Sequence, residues 1–342
     1  MNRKTVFSVV FVIVLLLAAS MSAAQSRDRF IGRWALTIPN GLAGWLGIEE
    51  KGGEFEVALL WSGGSPKPVK DVSFDGETMT LTRMKKIKRK DADGNVIGTY
   101  FAKEIISATV SGDRMKLTRT LFQNDGKGVI ISERFTGKRI PALGAKPDLS
   151  KAKRGKTIRL LNGKNLDGWK LTDRSKSNNK KSGWSVENGT LINNPVQPEG
   201  KHISYGNLRT VAEFKDFNIK LELNTSKGSN SGVYLRGIYE VQVSESYGQM
   251  LNSRNMGAVY GRIAPTVDAV KPAGQWQTLD ITLLERHVTV ILNGKTIIDN
   301  QPLLGCTGGA LWSDEFREGP IFLQGDHTSI KYRNIVLTPL TK

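Results

Sequence analysis

A chain of 342 residues, 39% of them hydrophobic, is long enough to bury two separate cores. Its formal charge of +17 invites an anionic neighbour, but no helix–turn–helix, zinc-finger or RNA-binding signature accompanies that charge, which argues against nucleic acid. A single cysteine, Cys306, excludes an internal disulfide.

The first 24 residues have the form of an export leader. Arg3 and Lys4 precede an apolar run from Val6 to Ala19, and Ser22-Ala23-Ala24 places the expected cleavage before Gln25. The run is too short for a convincing membrane span. No Cys stands at its end, so a lipid anchor is not expected. These features predict a soluble mature protein in a bacterial periplasm or outside the cell.

Residues 25–137 read as a succession of short alternating strands. They are expected at 30–38, 44–50, 54–61, 67–73, 77–85, 98–110, 114–122 and 129–136. Asp75-Gly76, Asp93-Gly94 and Asp125-Gly126 are hairpin signals, because glycine accepts the positive φ of a tight turn. About eight antiparallel strands suit a small closed barrel, which leaves no sheet edge exposed. A β-sandwich is the competing architecture. Phe30-Ile31-Gly32-Arg33-Trp34 resembles the Gly-x-Trp opening of lipocalin-like barrels, with Arg134 as the expected cover for Trp34. The segment holds no His and no Cys. Its charge is concentrated in Arg83-Met84-Lys85-Lys86-Ile87-Lys88-Arg89-Lys90, a basic surface that would suit an anionic wall polymer.

Residues 138–156 lose periodicity and are rich in Lys, Arg and Pro, which marks a basic linker. From 157 to 342 strands return with longer loops between them. Asn188-Gly189 and Asn293-Gly294 are further hairpin turns. A large all-β unit of this kind is expected to be a two-sheet jelly roll. Trp169, Trp184 and Trp312 are read as core. His202 and His287 are read as ordinary surface or strand residues.

The stretch Asn230-Ser-Gly-Val-Tyr-Leu-Arg-Gly-Ile-Tyr-Glu-Val-Gln242 organises this second half. Side chains switch faces at each residue of a strand, so Val233, Leu235, Tyr239, Val241 and Val243 point one way. Tyr234, Arg236, Glu240 and Gln242 then form a polar face. That face suits a groove for a polyhydroxylated ligand, although a merely solvated sheet face has the same pattern.

Several pieces in order carry a resemblance. They are Leu161-Asn162-Gly163-Lys164 with Gly168-Trp169, Trp184 with Glu187-Asn188-Gly189, and Asn230-Ser231-Gly232-Val233-Tyr234. They continue through Tyr239-Glu240-Val241-Gln242, Gly257-Ala258-Val259-Tyr260, Gly274-Gln275-Trp276, Leu292-Asn293-Gly294, the run Gly319–His327, and Tyr332-Arg333-Asn334-Ile335. Residues of about 157–340 thereby resemble the 3-keto-disaccharide (3-keto-glycoside) hydrolase family, which has a concanavalin A-like fold. Two positions depart from its pattern. Ser244, followed by Glu245, stands where members commonly have Asp, and Trp276-Gln277 replaces Trp-Asn.

The resemblance implies a carbohydrate substrate and a chemistry that needs little machinery. A ketone at C3 acidifies the C2 proton, and the glycosidic oxygen on C1 lies β to that carbonyl. A base, an enolate-oxygen donor and an acid for the leaving oxygen suffice. The implied catalytic set is Glu240 as base, Arg236 holding the enolate oxygen or orienting Glu240, and His327 as acid. Asn230, Tyr234, Gln242, Tyr260, Trp276 and Gln324 are the implied substrate-binding residues. A simple Arg236–Glu240 cross-strand ion pair and a structural His327 are the bland counterparts. No cofactor is required by any clear motif. A divalent metal stays open, with Glu240, Asp326 and His327 as its donors. A non-catalytic lectin-like module and a wall-adhesion protein are the rival functions.

Overall fold

The computed structural model describes residues 27–92, 96–123, 128–172, 181–198, 203, 205–325 and 327–342. The export leader, the hairpin signals Asp93-Gly94 and Asp125-Gly126, His202 and Asp326 lie outside the described residues. No helix among the described residues is long and apolar enough to cross a membrane. The chain divides into two units. One comprises the residues through Pro39 with Leu46–Leu59 and Lys67–Ile140, and the other comprises Asn40–Trp45, Leu60–Pro66 and Pro141–Lys342.

The N-terminal strands are β1 (Gly32–Thr37), β2 (Ala43–Lys51), β3 (Glu54–Trp61), β4 (Lys67–Val69), β5 (Asp71–Asp75), β6 (Thr78–Lys90), β7 (Val96–Ser111), β8 (Arg114–Phe122) and β9 (Val129–Ile140). They form one sheet in the order β4-β3-β2-β1-β9-β8-β7-β6-β5. That order is an up-and-down meander closed on itself by the β1–β9 ladder. Its one break lies between β4 and β5, which Lys70 alone joins in the chain. The barrel is therefore nearly closed. The strand expected at 67–73 is split at that break.

Trp34, fully buried, donates its indole N–H to Phe30 O at 2.9 Å. Its cover is Arg139 and not the exposed Arg134. The Arg139 guanidinium lies 4.2 Å from the ring centroid and donates to the carbonyls of Ile31 and Arg29. The reason is register, since Trp34 pairs directly with Arg139 across β1 and β9. β9 thus continues to Ile140, into the stretch read as linker.

The remaining strands are β10 (Lys153–Arg154), β11 (Ile158–Arg159), β12 (Trp169–Thr172), β13 (Trp184–Glu187), β14 (Thr190–Asn193), β15 (Asn207–Thr210), β16 (Phe217–Thr225), β17 (Asn230–Leu235), β18 (Tyr239–Ser244), β19 (Trp276–Leu284), β20 (His287–Leu292), β21 (Lys295–Pro302), β22 (Phe322–Leu323) and β23 (Ile330–Thr341). One sheet runs β13-β14-β23-β16-β19-β20-β21, with β10 and β11 also paired to β23. The other runs β12-β15-β22-β17-β18. This is the two-sheet jelly-roll sandwich. Asn188-Gly189 and Asn293-Gly294, like Glu285-Arg286 between β19 and β20, make two-residue turns with both residues at positive φ, as the right-handed twist of hairpin strands demands. Trp169 and Trp184 are core, their indoles donating to Leu160 O at 2.7 Å and Gly206 O at 2.9 Å. The half-buried Trp312 instead carries the Arg317 guanidinium 3.8 Å from its ring centroid.

Candidate active site

β17 and β18 pair antiparallel from Asn230↔Ser244 to Leu235↔Tyr239. Val233, Leu235, Tyr239, Val241 and Val243 are buried on one face. The opposite face presents Asn230, Gly232, Tyr234, Glu240 and Gln242, as strand alternation requires.

Glu240 is 4% exposed. Its Oε2 accepts the Tyr234 hydroxyl at 2.9 Å, from the residue directly opposite it. That hydroxyl also stands 2.9 Å from Gly308 O. A phenol has a single proton and serves one acceptor at a time. Gly232 gives the carboxylate its room, because a Cβ there would fall 2.4 Å from Glu240 Oε1. Burial raises the Tyr332 hydroxyl above its ordinary range, and the charge of Glu240 pushes the same way.

The outer edge of β18 is occupied by the chain at 257–260. Gly257 N–H donates to Gln242 O at 2.8 Å, Gln242 N–H to Ala258 O at 2.9 Å, and Tyr260 N–H to Glu240 O at 3.0 Å. A second segment is tied to β18 through Thr307, whose hydroxyl accepts Glu240 N–H at 2.9 Å and donates to Ile238 O at 3.2 Å. The loops so anchored border an open cavity of about 380 Å³. It is lined by Asn230, Tyr234, Glu240, Gln242, Arg254, Tyr260, Gln324 and His327, with bare backbone at Gly63, Gly64, Gly308 and Gly309. The volume lies in the range of small-ligand sites, roughly 300–1,000 Å³. A Cβ on Gly309 would meet the Tyr234 hydroxyl at 2.2 Å, so only glycine leaves that hydroxyl its place.

Two of the implied residues are elsewhere. Arg236 does not line the cavity. It sits in the β17–β18 turn at φ 53°, and this left-handed residue breaks the alternation that would have put it beside Tyr234. Its buried side chain lies over the Tyr239 ring, 5.3 Å from the centroid, with Nη2 3.4 Å from the Tyr239 hydroxyl. That hydroxyl donates to Glu315 Oε2 at 3.2 Å, and Arg286 pairs with the same carboxylate. Burial drives the Tyr239 hydroxyl and the Glu315 carboxyl above their ordinary ranges. Trp276 also lies away from the cavity, on β19 of the other sheet, with the Arg333 guanidinium 3.9 Å from its ring centroid.

Arg254 and the four glycines were not foreseen. Arg254 is an isolated exposed residue of a loop without periodicity, so no sequence signal singled it out. Ser244 stands next to it in space, its hydroxyl donating to Arg254 O at 3.2 Å. Glu245 does not line the cavity and donates its N–H to Ser229 O at 3.0 Å. Gln324 has a buried Oε1 with no partner among the described residues. Of the three metal donors suggested by sequence, Asp326 is outside the described residues. No group of three His, Cys, Asp or Glu side chains gathers among those that are described.

Residues 156–338 match the family model described as the 3-keto-alpha-glucoside-1,2-lyase-like domain, over more than half of the chain. The chain belongs to that family. A 3-keto-disaccharide hydrolase of Bacteroides thetaiotaomicron is 22% identical over 169 residues, which are 42% of this chain and 57% of that protein. The matched region thus spans little more than half of that relative's length. A crystallised glycosyl hydrolase of Parabacteroides distasonis shares 25% identity over 57% of this chain and 93% of its own, with a TM-score of 0.41. A carbohydrate-binding module of Bacillus subtilis shares 11% identity over 49% of this chain and 93% of its own, with a TM-score of 0.28.

Proposed function

We propose that this family member is an exported hydrolase of 3-keto-glycosides, with the cavity on β17 and β18 as its active site. The observation that carries the reading is the buried Glu240 carboxylate, held by Tyr234 at the floor of a cavity lined with amides and hydroxyls. Such a carboxylate suits a general base, and the amides suit sugar hydroxyls.

In this reading Glu240 takes the C2 proton of a sugar oxidised at C3, and the charge passes to the C3 oxygen as an enolate. The Arg254 guanidinium replaces Arg236 as the cation for that oxygen. The C1–oxygen bond then breaks, its electron pair leaving with the glycosidic oxygen, which takes a proton from His327. Water adds to the unsaturated sugar, its hydroxyl to C1 and a proton to C2, for net hydrolysis. Asn230, Gln242, Tyr260 and Gln324 hold ring hydroxyls, with Gln324 Oε1 an acceptor awaiting a donor.

The test is to incubate the purified protein with a 3-keto-glucoside and, separately, with the parent glucoside, following release of the aglycone. Only the keto form should be cleaved. Sugar binding without turnover would leave a carbohydrate-binding module in its place.

A further inference from the structure

β6 and β7 pair from Thr78↔Thr109 to Lys90↔Val96, whereas β8 joins β7 only from Glu104↔Leu121 onward. Among the described residues, the portion formed by residues 84–90 and 96–103 therefore has no third strand on the β7 side. It projects from the end of the sheet as a two-stranded ribbon.

The two faces of this ribbon differ. On one, at the base of the ribbon, Arg83 pairs with the fully buried Glu104 and Lys85 stands 3.9 Å from the same carboxylate, with Ile87 and the exposed Arg89 further out. On the other, Lys86, Lys88 and Lys90 alternate with the partners Phe101, Thr99 and Val96, and Met84 faces Lys103. Met84 is 60% exposed and Phe101 57%. Neither strand has an acidic residue between Met84 and Lys90 or between Val96 and Lys103. At the start of neighbouring β9, Val129 and Ile130 are exposed.

Lysines alone would be an ordinary solvated face. Large apolar side chains alone would be an aggregation liability. Interleaved on one face, the two kinds are complementary to an interface that is anionic at its surface and apolar just beneath. Lysine stems lie along apolar surface while their ammonium groups reach outward, and Phe and Met have only hydrocarbon or thioether to offer. A hydrated anionic polysaccharide would use the lysines and could stack on Phe101, but it offers nothing to Met84 and Val96.

From this pairing we propose that the β6–β7 ribbon docks the protein on an anionic phospholipid surface, through Lys86, Lys88, Lys90 and Lys103 with Met84 and Phe101. Each lysine near such a surface contributes about a fivefold gain in partitioning, and the gain fades as salt screens it. The apolar pair contributes a part that salt does not remove.

The experiment is co-sedimentation of the full chain with vesicles of phosphatidylcholine, with and without about one third phosphatidylglycerol. The variants are Lys86→Glu/Lys88→Glu and Met84→Ser/Phe101→Ser. All carry the same first 26 residues, so any contribution of the leader cancels between them. The intact chain should bind the anionic vesicles, and the lysine variant should lose at least about tenfold in partitioning. The Met84/Phe101 variant should lose the binding that persists at 0.5 M salt. Thermal melting of both variants should match the parent, since these side chains are exposed. Equal binding by all three proteins would overturn the proposal. So would binding that salt abolishes entirely, that Met84→Ser/Phe101→Ser leaves unchanged and that soluble polygalacturonate displaces. That last pattern would identify a polyanion surface instead.

Discussion

Tyr234 and Glu240 are cross-strand partners whose polar ends meet 2.9 Å apart inside the cavity. The contact orients the carboxylate through Oε2, and Oε1 lies close against Gly232. Both residues are nearly inaccessible from outside, at 2% and 4% exposure. A carboxylate so placed is held in one orientation, which is what a base needs before substrate arrives.

Glu240→Gln should therefore lower turnover sharply while leaving the site's shape. If Glu240 removes the C2 proton, turnover of a 3-keto-glucoside should fall about 100-fold or more, within the usual span of general base catalysis. Affinity for the sugar, measured by calorimetry, should change little. Turnover equal to the parent protein would take Glu240 out of the mechanism.

Arg254 and Arg236 should separate by phenotype. Arg254 is exposed at the cavity, so Arg254→Ala should lower kcat/KM and leave the melting temperature within about a degree. Arg236 is buried against Tyr239, so Arg236→Ala leaves a void and should lower the melting temperature by several degrees. The reverse pattern in paired melting and kinetic assays would return Arg236 to the role implied by sequence.

The lining of the candidate cavity is legible where period-2 alternation governs it. Tyr234, Glu240 and Gln242 share a face because nothing interrupts β17 or β18. Arg236 was misread because the turn places it at positive φ, and parity does not carry through a left-handed residue. Trp276 was misread for a different reason, since alternation gives the face of a strand but not the sheet it joins. In the barrel, β6 was expected to stop at 85 where lysines crowd the sequence, yet its pairing with β7 carries it to Lys90. The cover of Trp34 depends on the closing β1–β9 register, which is a long-range property.

Cys306 is buried, and that burial pushes its thiol up to about 12. The thiolate is the reactive form, so the native protein should ignore a disulfide reagent at pH 8. One thiol per chain should react once denaturant is added. Rapid labelling of the folded protein would show that the packing around Cys306 opens readily.

The last prediction concerns acid stability and rests on Glu104, which is fully buried inside the barrel. Burial by itself would raise this carboxyl. Arg83 pairs with Oε2, and Arg119 donates to Oε1 at 2.6 Å; together they outweigh burial and hold the carboxyl below its ordinary value of 4.5. An acid depressed by folding contributes stability that is fully present above its unfolded pKa. That contribution is lost as pH falls through the lower folded value. Melting temperature should thus be insensitive to this residue's titration above about pH 5 and drop below about pH 4. Glu104→Gln should flatten that acid limb. It should also destabilise the protein at pH 7 by roughly 2–3 kcal/mol, somewhat less than the usual cost of breaking a buried ion pair. The discount reflects Arg119, which keeps Glu133 at 2.7 Å, and Arg83, which is partly solvated. An unchanged acid limb in the Gln variant would move the pH dependence to other carboxylates.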